Sequence, residues 1–421
     1  METSQISVSD PIGDKRIYVQ ADGPLGQFVA HSLRTQRDPP PVTLLLHTSR
    51  AFNSWRNSPR TLALQRNIYG IDEEAVDVQM ARGAMRMHGK AVSFATWAEP
   101  TWKPHYDAKP AGALAEDEAD PPDISIKDPI QHLIIATKAQ RILPSLLAIR
   151  HRLSAASSVL ILTTGLGTLE QLVTEEVFPN ENNRPTFLLG DLNHNVARPE
   201  LSISAAHPTD FQMHLVRSGG LFITTHPLQG TKMVDQLAAP LPEAPYQSDY
   251  LTSKLISAHR LSTTILPPLD IHMMQLEKLA ISATLSPLTS LLDAPNASMV
   301  FNHNLTRAQR LLLAETSLVL RNLPELRGHP TAHLRFAPDR LENVLVSHAF
   351  ATPGTATSMQ EDVRRGRATD APFINGYIVR RGEQLGLRCF LNHFMELMVQ
   401  GKQTMVKREM AAELQLENDP T

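Results

Sequence analysis

The opening of the chain constrains its fold more than any other stretch. The segment RIYVQADGPLGQFVAHSLR combines a short apolar run, a glycine turn and an amphipathic helix that begins near Gly26. The segment PPPVTLLLH follows and contains a second buried run, residues 42–46. A strand, a helix and another strand within about 35 residues form a βαβ unit. This unit predicts a parallel sheet covered by helices.

The rest of the chain predicts an α/β domain followed by a helical one. Strands in HLIIATK, SVLILTT and RPTFLLG continue the alternation of strands and helices to about residue 190. Residues of about 80 to 128 are rich in Pro, Ala and acids, which indicates an inserted loop. Later helical periodicities fall at 252–262, 272–293, 304–322, 339–350, 358–366, 371–386 and 389–401. We predict an N-terminal tail (1–15), an α/β domain (16–250), a helical domain (251–410) and a C-terminal tail (411–421).

The composition excludes several classes of protein. Lys and Arg total 40 against 43 Asp and Glu, so we expect no chain-wide surface for nucleic acid or acidic membranes. No apolar run approaches the roughly 18 residues of a membrane helix. The single cysteine, Cys389, excludes an intrachain disulfide and a cysteine-cluster metal site. No grouping of His, Asp and Glu has metal-ligand spacing, so we expect no metal.

The N-terminal residues bear on location. METSQISVSDPIGDK has no apolar core and carries three acids, which argues against a secretory signal or a basic transit peptide. We therefore expect a cytoplasmic protein, with a mitochondrial address left open. The oligomeric state is also open, with a homodimer as one expectation.

The glycine turn ADGPLG stands where a dinucleotide fingerprint, G-x-G-x-x-G, would stand after a first strand. Ala21 replaces the first glycine, while Gly23 still lets the backbone approach a pyrophosphate and Gly26 permits close packing of helix on strand. The alternative is a tight turn that holds no ligand.

Basic residues follow two of the predicted strands. Arg50 stands where an acid would bind the ribose of NAD, so it favours the 2′-phosphate of NADP(H). Lys138 follows the LIIAT strand at the same edge of the sheet, and we expect it to bind the 2′-phosphate or adjoining groups. Thr164, in TTGLGT, ends a third strand at this edge and is a candidate for contact with cofactor or substrate. Each of the three also has an ordinary interpretation, as a solvated charge or a helix cap.

The segment QLEKLAISATLSPLTSLLDAPN places Lys278, Ser282 and Ser286 four residues apart on one side of a helix. The stripe is either a solvated face or one wall of a site that needs a cation. Pro287 cannot donate to the carbonyl of Ala283, so the helix is expected to bend there.

Five segments together resemble the ketopantoate reductase (2-dehydropantoate 2-reductase) family. They are GPLGQ, ATKAQ, TTGLGTLEQL, EKLAISATLSPLTSLLDAPN and TSMQEDVRRGRATDAPFINGYIVRRGEQLG. The resemblance covers roughly two thirds of the chain and marks it as a divergent member with long insertions. It implies a Rossmann-like dinucleotide-binding domain followed by a helical domain similar to the C-terminal domain of 6-phosphogluconate dehydrogenase.

The resemblance also implies an activity, in which NADPH reduces the C2 carbonyl of a branched 2-oxo acid. Lys278 matches the lysine that supports the carbonyl oxygen, and Ser358 matches a substrate-binding serine. Asp370 stands at the position of a glutamate that hydrogen-bonds the substrate hydroxyl. The expected cofactor-binding residues are Gly23, Leu25, Gly26, Arg50, Lys138 and Thr164; the expected substrate-binding residues are Ser358, Ser282, Ser286 and Thr164.

Four positions depart from the family's pattern. Thr164, Ser282 and Ser286 stand where the family tends to have asparagine, and Asp370 is one methylene shorter than glutamate. Three hypotheses follow: a reductase of 2-dehydropantoate, a catalytically impaired protein that binds or regulates a partner, and a reductase of a different, larger oxo acid.

Overall fold

The computed structural model describes residues 15–21, 23–47, 49–67, 70–80, 128–162, 166, 177–178, 180–199, 209–226 and 249–417. Thr164, the predicted tail before residue 15 and nearly all of the predicted inserted loop lie outside the described residues. So does the side chain of Arg50, although its backbone belongs to a helix.

The strands are β1 (Ile17–Ala21), β2 (Val42–Leu46), β3 (Thr61–Asn67), β4 (Gly70–Ala75), β5 (Asp77–Met80), β6 (His132–Ala136), β7 (Ser158–Leu162), β8 (Thr186–Leu192), β9 (Asn195–Ala197), β10 (Gln212–Arg217), β11 (Leu221–His226) and β12 (Thr263–Ile265). The helices are α1 (Pro24–Arg34), α2 (Ser49–Arg56), α3 (Ala139–Ile149), α4 (Tyr250–Ser257), α5 (Pro268–Leu292), α6 (His303–Arg321), α7 (Ala332–Arg335), α8 (Pro338–Ala351), α9 (Ser358–Arg364), α10 (Ala371–Gln384) and α11 (Phe390–Glu417).

The larger sheet of the described residues has eight strands in the order β12-β11-β8-β7-β6-β1-β2-β5. The strands from β8 to β5 run parallel, and β11 runs antiparallel to β8. β1, β2 and β7 are buried along their whole length because helices cover both faces of the sheet. The predicted α/β class, with a helical C-terminal domain, is therefore confirmed.

A second sheet, in the order β4-β3-β10-β9, was not expected from the sequence. It packs on the far side of α1, and Phe28 of α1 shares one core with Leu62 and Met213 of this sheet. Its strands are hard to see in the sequence because GIDEEA and NVA carry no continuous apolar pattern.

Two predicted boundaries differ from the structure. β12 pairs with β11, so the α/β part extends to Ile265, past the predicted boundary at residue 250. α11 continues to Glu417, so most of the predicted C-terminal tail is helical. The charged end of α11 lacks the apolar periodicity on which the prediction depended.

The 25-residue helix α5 connects the two parts of the molecule. Its first turns pack on β8 and β11, and its later turns enter the core of the helical part through Leu279 and Ala283. Pro287 leaves the carbonyl of Ala283 without its helical donor. The fully buried Asn375 of α10 replaces that donor, because its Nδ2 lies 2.8 Å from the Ala283 oxygen. The helix continues to Leu292.

Candidate functional site

The glycine turn between β1 and α1 brings the helix close to the sheet. A Cβ at Gly26 would lie 2.5 Å from Cβ of Ala21 and 2.9 Å from Cβ of Ala136, so no side chain fits there. Ala21 itself is accommodated at the end of β1, opposite Gly26. The glycine that the fingerprint requires for close packing is therefore needed here for the same reason.

Gly23 is placed differently from Gly26. A Cβ at Gly23 would meet no heavy atom within 4 Å, and its φ of −143° is open to any residue. Gly23 precedes the first turn of α1, where no side chain caps the helix and Leu25 is exposed. Free N–H groups at a helix N-terminus, beside an open backbone and at the carboxyl edge of a parallel sheet, fit the pyrophosphate of a dinucleotide.

Lys138 does not lie where a ligand of the 2′-phosphate was expected. It begins α3 at the end of β6, and its ammonium pairs with the buried carboxylate of Asp362 on α9. Asp362 is also within 3.1 Å of Arg367. Because β1 separates β6 from β2, Lys138 and the Arg50 region lie on opposite sides of the glycine turn. The predicted role of Lys138 at the 2′-phosphate is therefore not supported by its position, and that of Arg50 stays a prediction.

Asp370 is a buried carboxyl group beside this ion pair. It precedes α10, but its side chain makes no capping hydrogen bond to that helix. Its Oδ1 has no hydrogen-bond partner among the described residues. Burial raises the pKa of Asp370 to about 6; the charge of Asp362 also raises it, while Lys138 and Arg141 lower it. An unsatisfied buried oxygen is costly, and a polar group of a ligand would satisfy it.

Lys278 is not an exposed helix lysine. Its Nζ lies 3.0 Å from Oδ1 of Asp191, 3.1 Å from the carbonyl oxygen of Leu192 and 3.5 Å from Oδ1 of Asn193. Asp191 is 2% exposed, and these three acceptors form the carboxyl end of β8 and the residue after it. The ammonium is therefore held at the same sheet edge as the glycine turn.

The two serines of the stripe and Ser358 lie further along α5. Ser282 and Ser286 are partly buried, one and two turns beyond Lys278, while Ser358 is exposed at the first turn of α9. The hydroxyl groups of Thr289 and Thr357 are 3.1 Å apart and join α5 to the start of α9. The stripe therefore leads from the sheet edge towards Ser358.

The end of α8 adds His348, which the sequence did not single out. Arg340 near the start of α8 contacts Glu277, and Thr352 just after its end contacts Asn296. These contacts show that α8 runs beside α5 in the same direction. His348 therefore lies at the same height along α5 as Ser282 and Ser286. Loss of hydration lowers the pKa of His348, and the charges of Arg217 and Lys278 lower it further. A regular helical pattern gives no signal that would have identified it.

The strand order sets the width of the site. The ion pair of Lys278 and Asp191 lies at the end of β8. Lys138 and Asp370 lie at the end of β6, two strands away. Two strand spacings amount to roughly 10 Å. This gap is wide enough for a small oxo acid beside a nicotinamide ring. Thr164 follows β7, the strand between them, and its role stays a prediction because it lies outside the described residues.

Comparisons with known proteins agree with this layout. The family model described as "Ketopantoate reductase PanE/ApbA C terminal" matches residues 270–403, the span that carries Lys278, Ser358 and Asp370. A ketoisovalerate reductase of Beauveria bassiana is 24% identical over 90% of this chain and 81% of its own length. A probable 2-dehydropantoate 2-reductase of Schizosaccharomyces pombe is 23% identical over 92% of this chain and 96% of its own length. Residues 270–403 are therefore similar to the C-terminal part of the ketopantoate reductase family, and the two relatives extend this similarity over most of the chain.

The fold of the chain is shared with more distant proteins of known structure. A D-mandelate dehydrogenase, solved in a ternary complex with NADH and anilino(oxo)acetate, superposes with a TM-score of 0.62 at 17% identity. The match covers 93% of this chain and 99% of that one. At this identity the likeness shows the fold alone.

Two polar residues near the candidate site have structural roles. Asn296 is buried, and its Nδ2 donates to the carbonyl and hydroxyl oxygens of Thr352, so it shapes the loop after α5. His194 accepts from the N–H of Gly219 and donates to the carbonyl oxygen of Leu261. Burial lowers the pKa of His194, while its hydrogen bond to Leu261 acts in the opposite direction.

The described part of the chain contains no group of three or more His, Cys, Asp or Glu side chains that would hold a metal ion. None of its helices is both long and apolar enough to span a bilayer.

Proposed function

We propose that the protein is an NADPH-dependent reductase of a branched 2-oxo acid, with 2-dehydropantoate as the first candidate substrate. The observation that carries the proposal is the placement of Lys278. Its ammonium is held by Asp191 at the carboxyl edge of the sheet, on the same side as the open Gly23 turn, where a dinucleotide would bind.

The chain's own residues fit the cofactor. Gly23, Leu25 and Gly26 form an open turn before a helix N-terminus, which suits the pyrophosphate. We assign the 2′-phosphate to Arg50, the second residue of α2 after β2, and this is why we favour NADP(H) over NAD(H). When bound, NADPH supplies the hydride.

Lys278 acts on the carbonyl oxygen of the substrate. The positive charge stabilises the negative charge that develops on this oxygen as C2 gains the hydride, and the ammonium then gives its proton to form the hydroxyl group. The products are the 2-hydroxy acid, NADP⁺ and a neutral amine, which regains its proton from solvent. The contacts to Asp191 and Leu192 position the amine for this step.

Asp370 favours a substrate that carries a hydroxyl group. Its unpartnered Oδ1 would accept a hydrogen bond from the hydroxyl of 2-dehydropantoate, whereas 2-oxoisovalerate has no such group. Ser358, Ser282, Ser286 and Thr164 are proposed to bind the carboxylate and the branched chain. The serines leave room that asparagines would fill, so a larger oxo acid belongs in any substrate panel.

Two observations weigh against a catalytically silent protein. Lys278 is held in place by three acceptors, and the relatives that match about nine tenths of this chain carry the names of reductases. Both observations favour a protein that catalyses the reduction of an oxo acid.

The test begins with calorimetric titration of NADPH and NADH, followed by NADPH oxidation with a panel of 2-oxo acids. We expect NADPH to bind more tightly, and kcat/KM to be highest for 2-dehydropantoate. Asp370→Ala should reduce the preference for 2-dehydropantoate over 2-oxoisovalerate about tenfold or more. Absence of turnover with every acid, together with absence of NADPH binding, would refute the proposal.

A further inference from the structure

Arg198 follows β9 and lies beside the first turn of α1. Its Nη1 donates to the carbonyl oxygen of Asp210 at 2.5 Å, and Nε2 of Gln27 donates to the same oxygen at 2.9 Å. Gln27 is the residue after Gly26, so the shared acceptor places the Arg198 guanidinium next to the glycine turn. The Asp210 carboxylate is 4.0 Å away and half exposed, which makes it a weak counter-charge for Arg198.

The helices α1 and α3 lie on opposite faces of the large sheet. Phe28 of α1 shares a core with Val19 of β1. Ile142 of α3 shares a different core with Tyr18, the preceding residue of the same strand. Adjacent side chains of a strand point to opposite faces, so the glycine turn after β1 lies at the edge between the two faces.

The helix α9 spans this edge from one face to the other. On the α3 side, its Asp362 carboxylate pairs with Lys138. On the α1 side, Glu361 and Arg365 lie close enough to Arg198 to interact with its charge. Glu361 and Arg365 are one turn apart and form an exposed ion pair at 3.8 Å. The helical part therefore places the Arg365 guanidinium near that of Arg198, above the glycine turn.

The charges around Arg198 are only partly compensated. Loss of hydration lowers the pKa of Arg198; the carboxylates of Asp210 and Glu361 raise it, and the guanidinium groups of Arg365 and Arg367 lower it. Both carboxylates are about half exposed, so their attraction is weakened by solvent. Cations that lose hydration without close partners are costly, and an anion between them would remove that cost.

We propose that Arg198 and Arg365 bind the diphosphate of the dinucleotide together with the glycine turn. The free N–H groups at the start of α1 attract an anion, and each guanidinium group can donate charge-assisted hydrogen bonds to phosphate oxygens. A diphosphate carries one negative charge for each of the two arginines. Since Arg198 belongs to the α/β part and Arg365 to the helical part, the bound cofactor would connect the two parts. The inference rests on the proposed function only in taking a dinucleotide as the ligand.

The test measures the dissociation constants of NADPH and NADH by calorimetry in the full-length protein. Both dinucleotides contain the diphosphate, so Arg198→Met should raise both dissociation constants about 10- to 100-fold, the loss expected for hydrogen bonds to a charged group. Arg198→Lys keeps the charge and should recover most of the affinity. Arg365→Met, at a more exposed position, should raise both constants about threefold or more.

The matched control is Arg310→Met. Arg310 pairs with Glu342 on the surface of the helical part, so this variant also loses one guanidinium group and one ion pair. Its dissociation constants for both dinucleotides should stay within about twofold of wild type. The melting temperature of each variant without cofactor shows whether a loss of affinity follows from a loss of folding.

Four results would overturn the inference. The first is an Arg198→Met variant that binds both dinucleotides as tightly as wild type, which would leave the proposed reductase function intact. The second is an effect on NADPH alone, which would assign Arg198 to the 2′-phosphate. The third is an equal loss of affinity and of melting temperature in Arg198→Lys and Arg198→Met, which would show a structural role. The fourth is a wild-type protein that binds neither dinucleotide, which would refute the proposed function as well.

One result separates the two proposals in the other direction. A wild-type protein that binds both dinucleotides through Arg198 but reduces no 2-oxo acid would support this inference and refute the proposed reductase function.

Discussion

Three buried aspartates at the sheet edge differ in what they contact. Asp191 holds Lys278, and Asp362 holds Lys138 and Arg367. The third, Asp370, has an oxygen with no partner among the described residues. A buried carboxylate that neither caps a helix nor pairs with a cation costs stability, and a polar group of a ligand would offset that cost.

Asp370→Asn should stabilise the protein, by an amount that depends on pH. Because the folded-state pKa of Asp370 is raised from 3.8 to about 6, folding favours the protonated form. The stability that the protonated Asp370 side chain contributes is fully present below about pH 4, and it is lost as the pH rises through 6. Relative to wild type, the variant should therefore gain up to about 3 kcal/mol at pH 8 and much less at pH 4. Urea unfolding across this range measures the difference, and a gain independent of pH would show that Asp370 is not a buried acid.

Single residues were predictable only where a motif identified them. Lys278, Ser358 and Asp370 were found through the resemblance, and the structure places Lys278 and Asp370 at one edge of the sheet. Asp191 and Asp362 were missed because an acid at a strand end or on a helix has no distinctive pattern. These aspartates matter because they contact lysines that are 87 and 224 residues away in the sequence. The sequence around each aspartate carries no information about such a distant partner.

At the scale of elements, α5 depends on a side chain from another helix. Asn375 donates to the carbonyl of Ala283, which Pro287 cannot serve, and also to Oδ1 of Asn392 on α11. The sequence identified the missing donor but not its replacement. Propensity describes one helix at a time, whereas this bond joins α5 to α10.

Asn375→Ala should destabilise the protein by about 1–3 kcal/mol, because it leaves a buried carbonyl without a donor. Pro287→Ala restores the helical N–H, so the same Asn375→Ala change should cost at least about 1 kcal/mol less in that background. A double-mutant cycle of urea unfolding measures this coupling. Effects that simply add would show that the two residues do not share the Ala283 carbonyl.

The glycine turn has two glycines with separable roles. Gly26→Ala would press a methyl group onto Ala21 and Ala136, so we expect a loss of about 2 kcal/mol or more in unfolding free energy. Gly23→Ala meets no atom and no backbone strain, so stability should be nearly unchanged. Its methyl group would nevertheless obstruct the pyrophosphate, and the dissociation constant for NADPH should rise about tenfold. Unaltered NADPH affinity in a folded Gly23→Ala protein would contradict the assigned cofactor position.

For the whole molecule, the sequence was most informative about regular, buried elements. The strands β1, β2, β6, β7 and β8 follow from apolar runs, and the helices after residue 268 follow from periodicity, with the exception of the short helix α7. The second sheet, the antiparallel β11 and the attachment of β12 did not follow, since their pairing joins segments distant in sequence. The parallel strands place the glycine turn and the ion pair of Lys278 and Asp191 at one edge of the sheet. This arrangement supports the proposed reduction of a 2-oxo acid.

The role of Lys278 is tested most directly by kcat for 2-dehydropantoate at saturating NADPH in the Lys278→Met variant. Methionine keeps the length and apolar character of the stem but removes the charge and the proton. We predict that kcat falls by about 100-fold or more relative to wild type. A kcat within about threefold of wild type would contradict the account, because the reduction would then proceed without this ammonium.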